Sequence, residues 1–251
     1  MTSPESLAGF TSVAWVLMAL AALLIGVAKT SIGGVAMVSV ALFAAVLPAR
    51  ASTGVVLLLL LVGDAFALRA YTHHADRHVL RRLAPSAIVG VTLGTAFLFV
   101  AGDLVVRRAI SAVLVALVLV SVTGRLTRRD DVRPAQPWVV HGAGSLSGFT
   151  SMVANAGGSV MSLYLLRLNL PVLTFLGTSA WFFFAVNVVK LPMSIAIGLV
   201  RLDTLVLALV LAPGVLVGAW LGRSIAHRIS LKTFEWVVLS VTLVAAVNLL
   251  R

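Results

Sequence analysis

The chain has 251 residues, of which 61% are hydrophobic and only 11% are charged. Soluble proteins are about half apolar and about a quarter charged, so this composition excludes a soluble domain and indicates a polytopic helical membrane protein. The formal net charge of +11 would suggest a nucleic acid partner in a soluble chain. Here most basic residues lie between apolar segments, where they set membrane orientation, and we expect no nucleic acid partner.

Ten apolar segments follow one another along the chain. Their ranges are 7–28, 35–47, 51–71, 79–101, 104–123, 138–153, 160–168, 172–199, 202–221 and 231–250. A helix needs about 20 residues to cross a bilayer, and the second and seventh segments have only 13 and 9. We expect these two to be broken or re-entrant helices, although the pattern leaves a full crossing open.

The second half of the chain repeats features of the first. The pattern Ala84-Pro85, Gly90, Gly94 recurs 128 residues later as Ala212-Pro213, Gly218, Gly222. Asp64 is matched by Asn187, and Ser52-Thr53-Gly54 loosely by Thr178-Ser179-Ala180. Glycine spacing alone is common in packed membrane helices. Several pairs in the same order, at offsets of 123 to 128, indicate a duplication.

Each half contains five segments, and an odd number places the second half upside down in the membrane relative to the first. The positive-inside rule tests this arrangement, because basic residues concentrate in cytoplasmic connections. With the amino terminus outside, the connections 69–82, 124–137 and 223–232 are cytoplasmic, and they hold most of the basic residues between segments. We therefore predict an all-α polytopic membrane protein with two inverted repeats, residues 1–123 and 138–251, joined by a cytoplasmic linker at 124–137.

Two glycine-containing breaks interrupt the apolar pattern at related places in the halves. They are Lys29-Thr30-Ser31-Ile32-Gly33-Gly34 and Val153-Ala154-Asn155-Ala156-Gly157-Gly158. Irregular backbone at membrane depth is tolerated only inside protein or beside water, so we expect the breaks to meet near the midplane. Each glycine pair is expected to open a helix, at Val35 and at Ser159. The free N–H groups and positive dipole end of a helix start favour an anion.

These features predict a binding site for a small anion. The candidate substrate-binding residues are Lys29, Thr30, Ser31, Gly33, Gly34, Asn155, Gly157, Gly158, Asn187 and Lys190. Lys29 supplies a full charge, and the glycines let the backbone approach the ligand closely. A second interpretation stays open, in which Lys29 extends to a membrane surface and the glycines only pack helices.

Two further ionisable residues lie within apolar segments, Asp64 in the third and Lys190 in the eighth. Charged residues in membrane spans are costly and indicate function. Lys190 lies three residues after Asn187 on one helical face, so both could line the cavity. Asp64 could take up a coupling proton, or Asp64 and Lys190 could only neutralise each other.

The remaining patterns predict no metal site, no cofactor and no enzyme. A metal cluster is suggested by His73, His74, Asp76 and His78, but an arginine-rich cytoplasmic connection favours a solvated loop. Ser147 and His141 lie six residues apart on one segment, and cannot face each other across helices as nucleophile and base. The chain has no cysteine, which excludes thiolate metal sites and disulfides. An intramembrane enzyme remains a remote alternative to a transporter.

Several of these motifs together resemble the TauE/SafE family of sulfite exporters. The stretch 29–34 is similar to the family's lysine-threonine-glycine-x-x-glycine signature, with Ser31 where the family usually has glycine. Further similarities are Asp64 with Tyr71, the Ala-Pro-x4-Gly-x3-Gly segments of both halves, and Gly177-Thr178-Ser179 followed by Asn187-x2-Lys190. The resemblance covers nearly the whole chain in the family's order.

The resemblance implies a multi-pass transporter in the bacterial inner membrane that exports sulfite or an organosulfonate such as sulfoacetate. Its expected partners are the small anionic substrate, the lipid bilayer and, as one option, a second copy of the chain in a homodimer. Proton-coupled uptake of a similar anion is the alternative mode of transport.

Overall fold

The computed structural model describes residues 9–30, 36–126, 136–168 and 170–225. The regular elements in these ranges are all helices. They are α1 (Ser12–Thr30), α2 (Ala36–Val46), α3 (Ala49–Tyr71), α4 (Arg77–Val100), α5 (Asp103–Leu126), α6 (Pro137–Ala154), α7 (Gly157–Leu166), α8 (Val172–Ala196) and α9 (Leu202–Ile225). A short 3-10 turn, Thr72–His74, follows α3. The helices confirm the predicted all-α class.

Five of the described helices are long and apolar enough to cross a membrane, namely α1, α3 with its following turn, α4, α8 and α9. Helix α2 is a shorter apolar helix. The chain is therefore a multi-pass membrane protein, as predicted. The first nine predicted segments each contain one helix, with limits within about five residues of the prediction, and the tenth lies outside the described residues. The structure differs from the prediction at the second break, where α7 begins at Gly157 and not at Ser159.

Local sequence explains where several helices begin. Pro48 immediately precedes α3 and Pro171 immediately precedes α8, and these prolines are 123 residues apart. Proline suits a helix start, because its φ is already close to the helical value and its missing N–H would have no intrahelical acceptor there. Asp76 caps α4 by accepting hydrogen bonds from the backbone N–H groups of His78 at 2.8 Å and Val79 at 3.1 Å.

Glycines bring two pairs of helices into backbone contact. Helix α4 packs along α6, and α1 packs along α9, and these are the most extensive helix–helix contacts among the described residues. A Cβ added at Gly90 in α4 would overlap the carbonyl oxygen of Ser145 in α6. One added at Gly218 in α9 would overlap the carbonyl oxygen of Leu23 in α1. Small residues permit such close approach between membrane helices, so the glycines of the repeated motif are packing residues.

The contact between α4 and α6 is repeated by the contact between α9 and α1. In the second contact α9 takes the place of α4, and α1 takes the place of α6. Gly148 of α6 lies against the backbone of Ala87 in α4, and Gly26 of α1 lies against the backbone of Val215 in α9. Gly148 follows Gly26 by 122 residues, and Val215 follows Ala87 by 128. Contacts that exchange partners in this way define an approximate two-fold axis. The packing supports the predicted duplication, while the opposite membrane orientation of the halves and the boundaries of the linker stay predictions.

Candidate functional site

The central helices α3 and α8 meet where Asp64 contacts Asn187. The amide of Asn187 donates to Asp64 Oδ2 at 2.6 Å, and both side chains are buried. The two residues are 123 positions apart and match each other in the sequence repeat. Equivalent residues contact each other only on a two-fold axis. This contact therefore marks the centre of the described helix packing, on the approximate two-fold axis.

Lys29 reaches this centre from the last turn of α1. Its ammonium donates to Asp64 Oδ1, so the carboxylate is shared between a lysine and an amide. The stem of the lysine packs over Gly63, where an added Cβ would lie 2.8 Å from Lys29 Cγ, and the ammonium lies 5.1 Å from the ring centre of Phe183. The Lys29 side chain is only 12% exposed. It points into the protein and not to a membrane surface, which contradicts the surface-anchor interpretation.

A cavity of about 60 Å³ adjoins this ion pair. Its polar lining residues are Lys29, Asp64, Ser151, Asn155, Ser162, Ser179 and Asn187. Its apolar wall is formed mainly by Leu60, Phe175, Leu176 and Phe183. A water molecule needs roughly 10–15 Å³ of such space, so the cavity has room for about four to six waters or for one small oxyanion.

The cavity lies on one side of the contact between Asp64 and Asn187. On α3 its lining runs from Leu60 to Ala67, and on α8 it begins at Phe175 and ends at Asn187. The cavity therefore occupies the end of the helix bundle where α3 ends and α8 begins. The arginine-rich connection after α3 belongs to the same end. In the predicted orientation this is the cytoplasmic half of the molecule.

The second break brings a helix start to the cavity. Helix α6 ends at Ala154 and is followed by Asn155, whose φ of 49° is left-handed, and α7 begins at Gly157. Gly157 and Gly158 both line the cavity. A Cβ added at Gly157 would overlap the carbonyl oxygen of Ser147, so this close approach of α7 to α6 requires glycine. The first turn of α7 therefore faces the cavity. It is the amino-terminal end of the helix, whose N–H groups and positive dipole end favour negative charge.

Lys190 does not line the cavity, although Asn187 of the same helix does. Its side chain is fully buried, and its ammonium donates to the carbonyl oxygen of Ser151 at 2.6 Å and to Asn155 Oδ1 at 2.7 Å. Longer bonds join it to Ser151 Oγ at 3.2 Å and to Asn187 Oδ1 at 3.3 Å. The lysine thus holds the end of α6 and the left-handed residue in place. Because Asp64 forms its ion pair with Lys29 of α1, the structure contradicts the interpretation in which Asp64 and Lys190 only neutralise each other.

The first break is only partly described. Thr30 does not line the cavity, because its hydroxyl donates to the carbonyl oxygen of Ala219 in α9 at 2.9 Å and so joins α1 to α9. The hydroxyl of Tyr71 donates to the carbonyl oxygen of Thr30 at 3.4 Å, which ties the end of α3 to the end of α1. The predicted site residues Ser31, Gly33 and Gly34 lie outside the described residues.

Ser151 and Phe183 are among the cavity residues that the sequence did not predict. Ser151 follows Lys29 by 122 residues, the offset that also relates Gly148 to Gly26, so extending the repeat through the first segment would have found it. Phe183 carries no such signal, because an aromatic residue in an apolar segment is more often a packing residue.

The motifs considered for metal binding and catalysis have other places in the structure. In the described part of the chain, no three histidine or carboxylate side chains gather where they could hold a metal ion. Ser147 Oγ is buried and donates to the carbonyl oxygen of Gly157 at 3.0 Å, whereas His141 is exposed. The serine therefore supports the break between α6 and α7.

A family model described as Sulfite exporter TauE/SafE matches residues 18–249, nearly the whole chain. No curated protein and no solved structure matches the chain. The family match confirms the resemblance that the two breaks and the repeated motifs predicted.

Proposed function

The chain belongs to the TauE/SafE sulfite exporter family, and from this premise we propose that it exports a small sulfur oxyanion across the bacterial inner membrane. The proposed cargo is sulfite or an organosulfonate such as sulfoacetate. The observation that carries the proposal is the cavity beside the ion pair of Lys29 and Asp64, at the contact between the two halves. With Lys190 included, these buried side chains leave one formal positive charge, which favours an anion.

In the proposed complex, the anion occupies the cavity between Lys29, Asn187 and the first turn of α7. The ammonium and the amide are hydrogen-bond donors that already hold a carboxylate, that of Asp64, so they suit the oxygens of a sulfonate or sulfite group. Glycine at the start of α7 allows the backbone N–H groups to approach the anion closely. The apolar wall with Phe175 accommodates the methylene group of a short organosulfonate.

The membrane potential supplies a driving force for export. With the cell interior negative, each exported negative charge gains about 2.3 kcal/mol per 100 mV. Facilitated export of an anion therefore requires no coupling ion. The position of the cavity, in the half predicted to be cytoplasmic, suits an exporter that takes up its cargo from the cell interior.

The proposal is tested with purified protein in liposomes loaded with sulfite or with sulfoacetate, with a potassium gradient and valinomycin setting the interior negative. Efflux should exceed that of protein-free liposomes and increase with the potential. Taurine, whose ammonium cancels the charge of its sulfonate, is the matched control and should leave more slowly. Efflux of both sulfur anions at the protein-free rate would refute the proposal.

Proton-coupled uptake is the second candidate, and one observation favours it. Asp64 is fully buried, adjoins the cavity and shares Lys29 with any bound anion, so its protonation would release the lysine for the substrate. Under this mechanism a proton gradient at zero membrane potential drives the anion against its own gradient. Asp64→Asn should abolish that effect while leaving downhill transport. The absence of any response to the proton gradient would exclude this candidate.

A further inference from the structure

Lys190 is a buried lysine without a carboxylate partner among the described residues. Its ammonium is held by neutral acceptors on Ser151, Asn155 and Asn187, and the described residues include no carboxylate within ion-pair distance of it. A charge at membrane depth is costly, and its retention indicates a function. The present cavity does not account for it, because Lys190 is not part of the lining.

The sequence repeat relates Lys190 to a residue that does line the cavity. The offset of 123 residues that joins Asp64 to Asn187 also joins Ala67 to Lys190. Ala67 lines the cavity on α3, one turn beyond Asp64. In the second half of the chain, a lysine therefore occupies the position that faces the anion site in the first half.

The part of the molecule on the other side of the axis is closed. The prolines before α3 and α8 and the pair of Asp64 and Asn187 share the offset of 123, which replaces the looser match of Thr53 to Ser179 at an offset of 126. At the offset of 123, Thr53 and Val56 of α3 correspond to the cavity residues Leu176 and Ser179 of α8, yet they are only 4% and 1% exposed. The amide of Asn155 donates to the carbonyl oxygen of Thr53 at 3.0 Å, so the second break fills the space beside α3. The described surroundings of α3 and of α8 therefore differ in conformation around one axis.

Arg50 seals this closed side at its outer end. Its guanidinium donates to the carbonyl oxygens of Leu98 at 2.5 Å and Ala101 at 2.9 Å, at the end of α4. It also donates to the carbonyl oxygen of Ile197 at 3.0 Å, at the end of α8. Helix ends present free carbonyl groups and a negative dipole end, so one cation holds the ends of two helices together.

We propose that Lys190 is the cation of a second anion-binding site, on the Arg50 side of the axis, which forms when the two halves exchange conformations. The proposal rests on the function proposed above, since both sites take the same small sulfur oxyanion. Exchange of conformations between repeats lets a transporter open one path alternately to two sides. In the exchanged state Val56 takes the place of Ser179, and Lys190 takes the place of Ala67. The anion then passes from one lysine to the other across the axis.

Single cysteines at the equivalent positions Ser179 and Val56 test this proposal, because the chain has no cysteine of its own. Right-side-out and inverted membrane vesicles are treated with a membrane-impermeant methanethiosulfonate, and sulfoacetate is the protecting anion because it does not react with the reagent. Ser179→Cys should be modified from the cytoplasmic face and Val56→Cys from the outer face. Sulfoacetate should slow both reactions. His73→Cys and Arg201→Cys, exposed in the connections after α3 and before α9, are the controls for the two faces, and sulfoacetate should leave their modification unchanged.

The lysine variants then decide which cation serves which site. Lys190→Gln should raise the sulfoacetate concentration that half-protects Val56→Cys by about ten- to a hundredfold, and leave protection of Ser179→Cys unchanged. The double variant Lys29→Met, Asp64→Asn should raise the sulfoacetate concentration that half-protects Ser179→Cys, and leave protection of Val56→Cys unchanged. Lys190→Arg retains the charge and should retain protection at both cysteines.

The outcomes separate this proposal from the proposed function. If sulfoacetate fails to protect Ser179→Cys in the parent, the proposed function fails and this proposal fails with it. If Ser179→Cys is protected but Val56→Cys is not modified from outside, or is modified without protection, only the second site is refuted. That comparison needs no change at Lys190, so it decides whether the second site exists even if Lys190→Gln does not fold, and Lys190→Arg then tests the lysine itself. Equal loss of protection at both cysteines in Lys190→Gln would assign the lysine a purely structural role.

Discussion

Replacing Lys29 with methionine leaves a fully buried carboxylate without its ion-pair partner. Among the described residues, the remaining partner of Asp64 within hydrogen-bond distance is the amide of Asn187. Breaking a buried ion pair by removing one partner costs about 3–5 kcal/mol, because the other charge stays buried and uncompensated. Folded domains are stable by about 5–15 kcal/mol, so Lys29→Met should unfold at a markedly lower temperature than the parent.

Adding Asp64→Asn to this variant separates stability from binding. The double variant removes both charges of the ion pair and so leaves neither one uncompensated, and its asparagine keeps a similar shape, so most of the lost stability should return. Anion affinity should not return, because a charge-assisted hydrogen bond is worth roughly 1.5–3 kcal/mol, or about ten- to a hundredfold in affinity. The expected result is a protein with nearly parental stability that binds sulfoacetate at least about tenfold more weakly.

The measurements are thermal unfolding in detergent and calorimetric titration with sulfoacetate, on samples shown to be monodisperse. Arg201→Met is the matched control, because Arg201 and Asp203 form an exposed ion pair at 3.9 Å, and surface pairs contribute about 0–1 kcal/mol. Parental stability of the single variant Lys29→Met would show that Lys29 does not compensate Asp64. Parental affinity of the double variant would show that Lys29 does not bind the anion.

Three further predictions address packing, topology and the second break. Gly218→Ala should lower the stability measured in thermal unfolding by about 1–3 kcal/mol, because its Cβ would overlap a carbonyl oxygen of α1. The control Gly142→Ala adds a Cβ in open space and should be neutral or stabilising; equal effects of the two changes would refute the packing role of Gly218. Cysteines at His73 and Arg201 should react with an impermeant maleimide from opposite faces of the membrane, and labelling from the same face would rule out the inverted repeats. Asn155→Gly and Asn155→Ala should both impair transport, because each removes the hydrogen bond to Lys190. In thermal unfolding the alanine variant should be about 1 kcal/mol less stable than the glycine variant, because residue 155 has a left-handed φ; the reverse order would contradict this explanation.

The composition and the repeated motifs by themselves determined the class of the protein. Runs of about 20 apolar residues must be membrane helices, because no other structure satisfies the backbone of a single segment in lipid. The offsets that relate Gly90 to Gly218 and Asp64 to Asn187 likewise followed from the sequence alone, because a duplication preserves the order and spacing of its residues. Both pairs have corresponding roles in the structure, the glycines at helix contacts and the polar pair at the axis.

Only the tertiary structure decided which charges pair and which residues reach the cavity. The sequence placed Asp64, Lys29 and Lys190 on three different helices, and the partner of a side chain across helices depends on how the helices are rotated and shifted against each other. In that arrangement Asp64 forms an ion pair with Lys29, Lys190 donates to neutral acceptors, and the Thr30 hydroxyl donates to α9. Periodicity describes one helix at a time, so it identifies a face but not its neighbour. The closeness of two helices is set by the backbone contacts of their glycines, and these contacts exist only once the helices have packed.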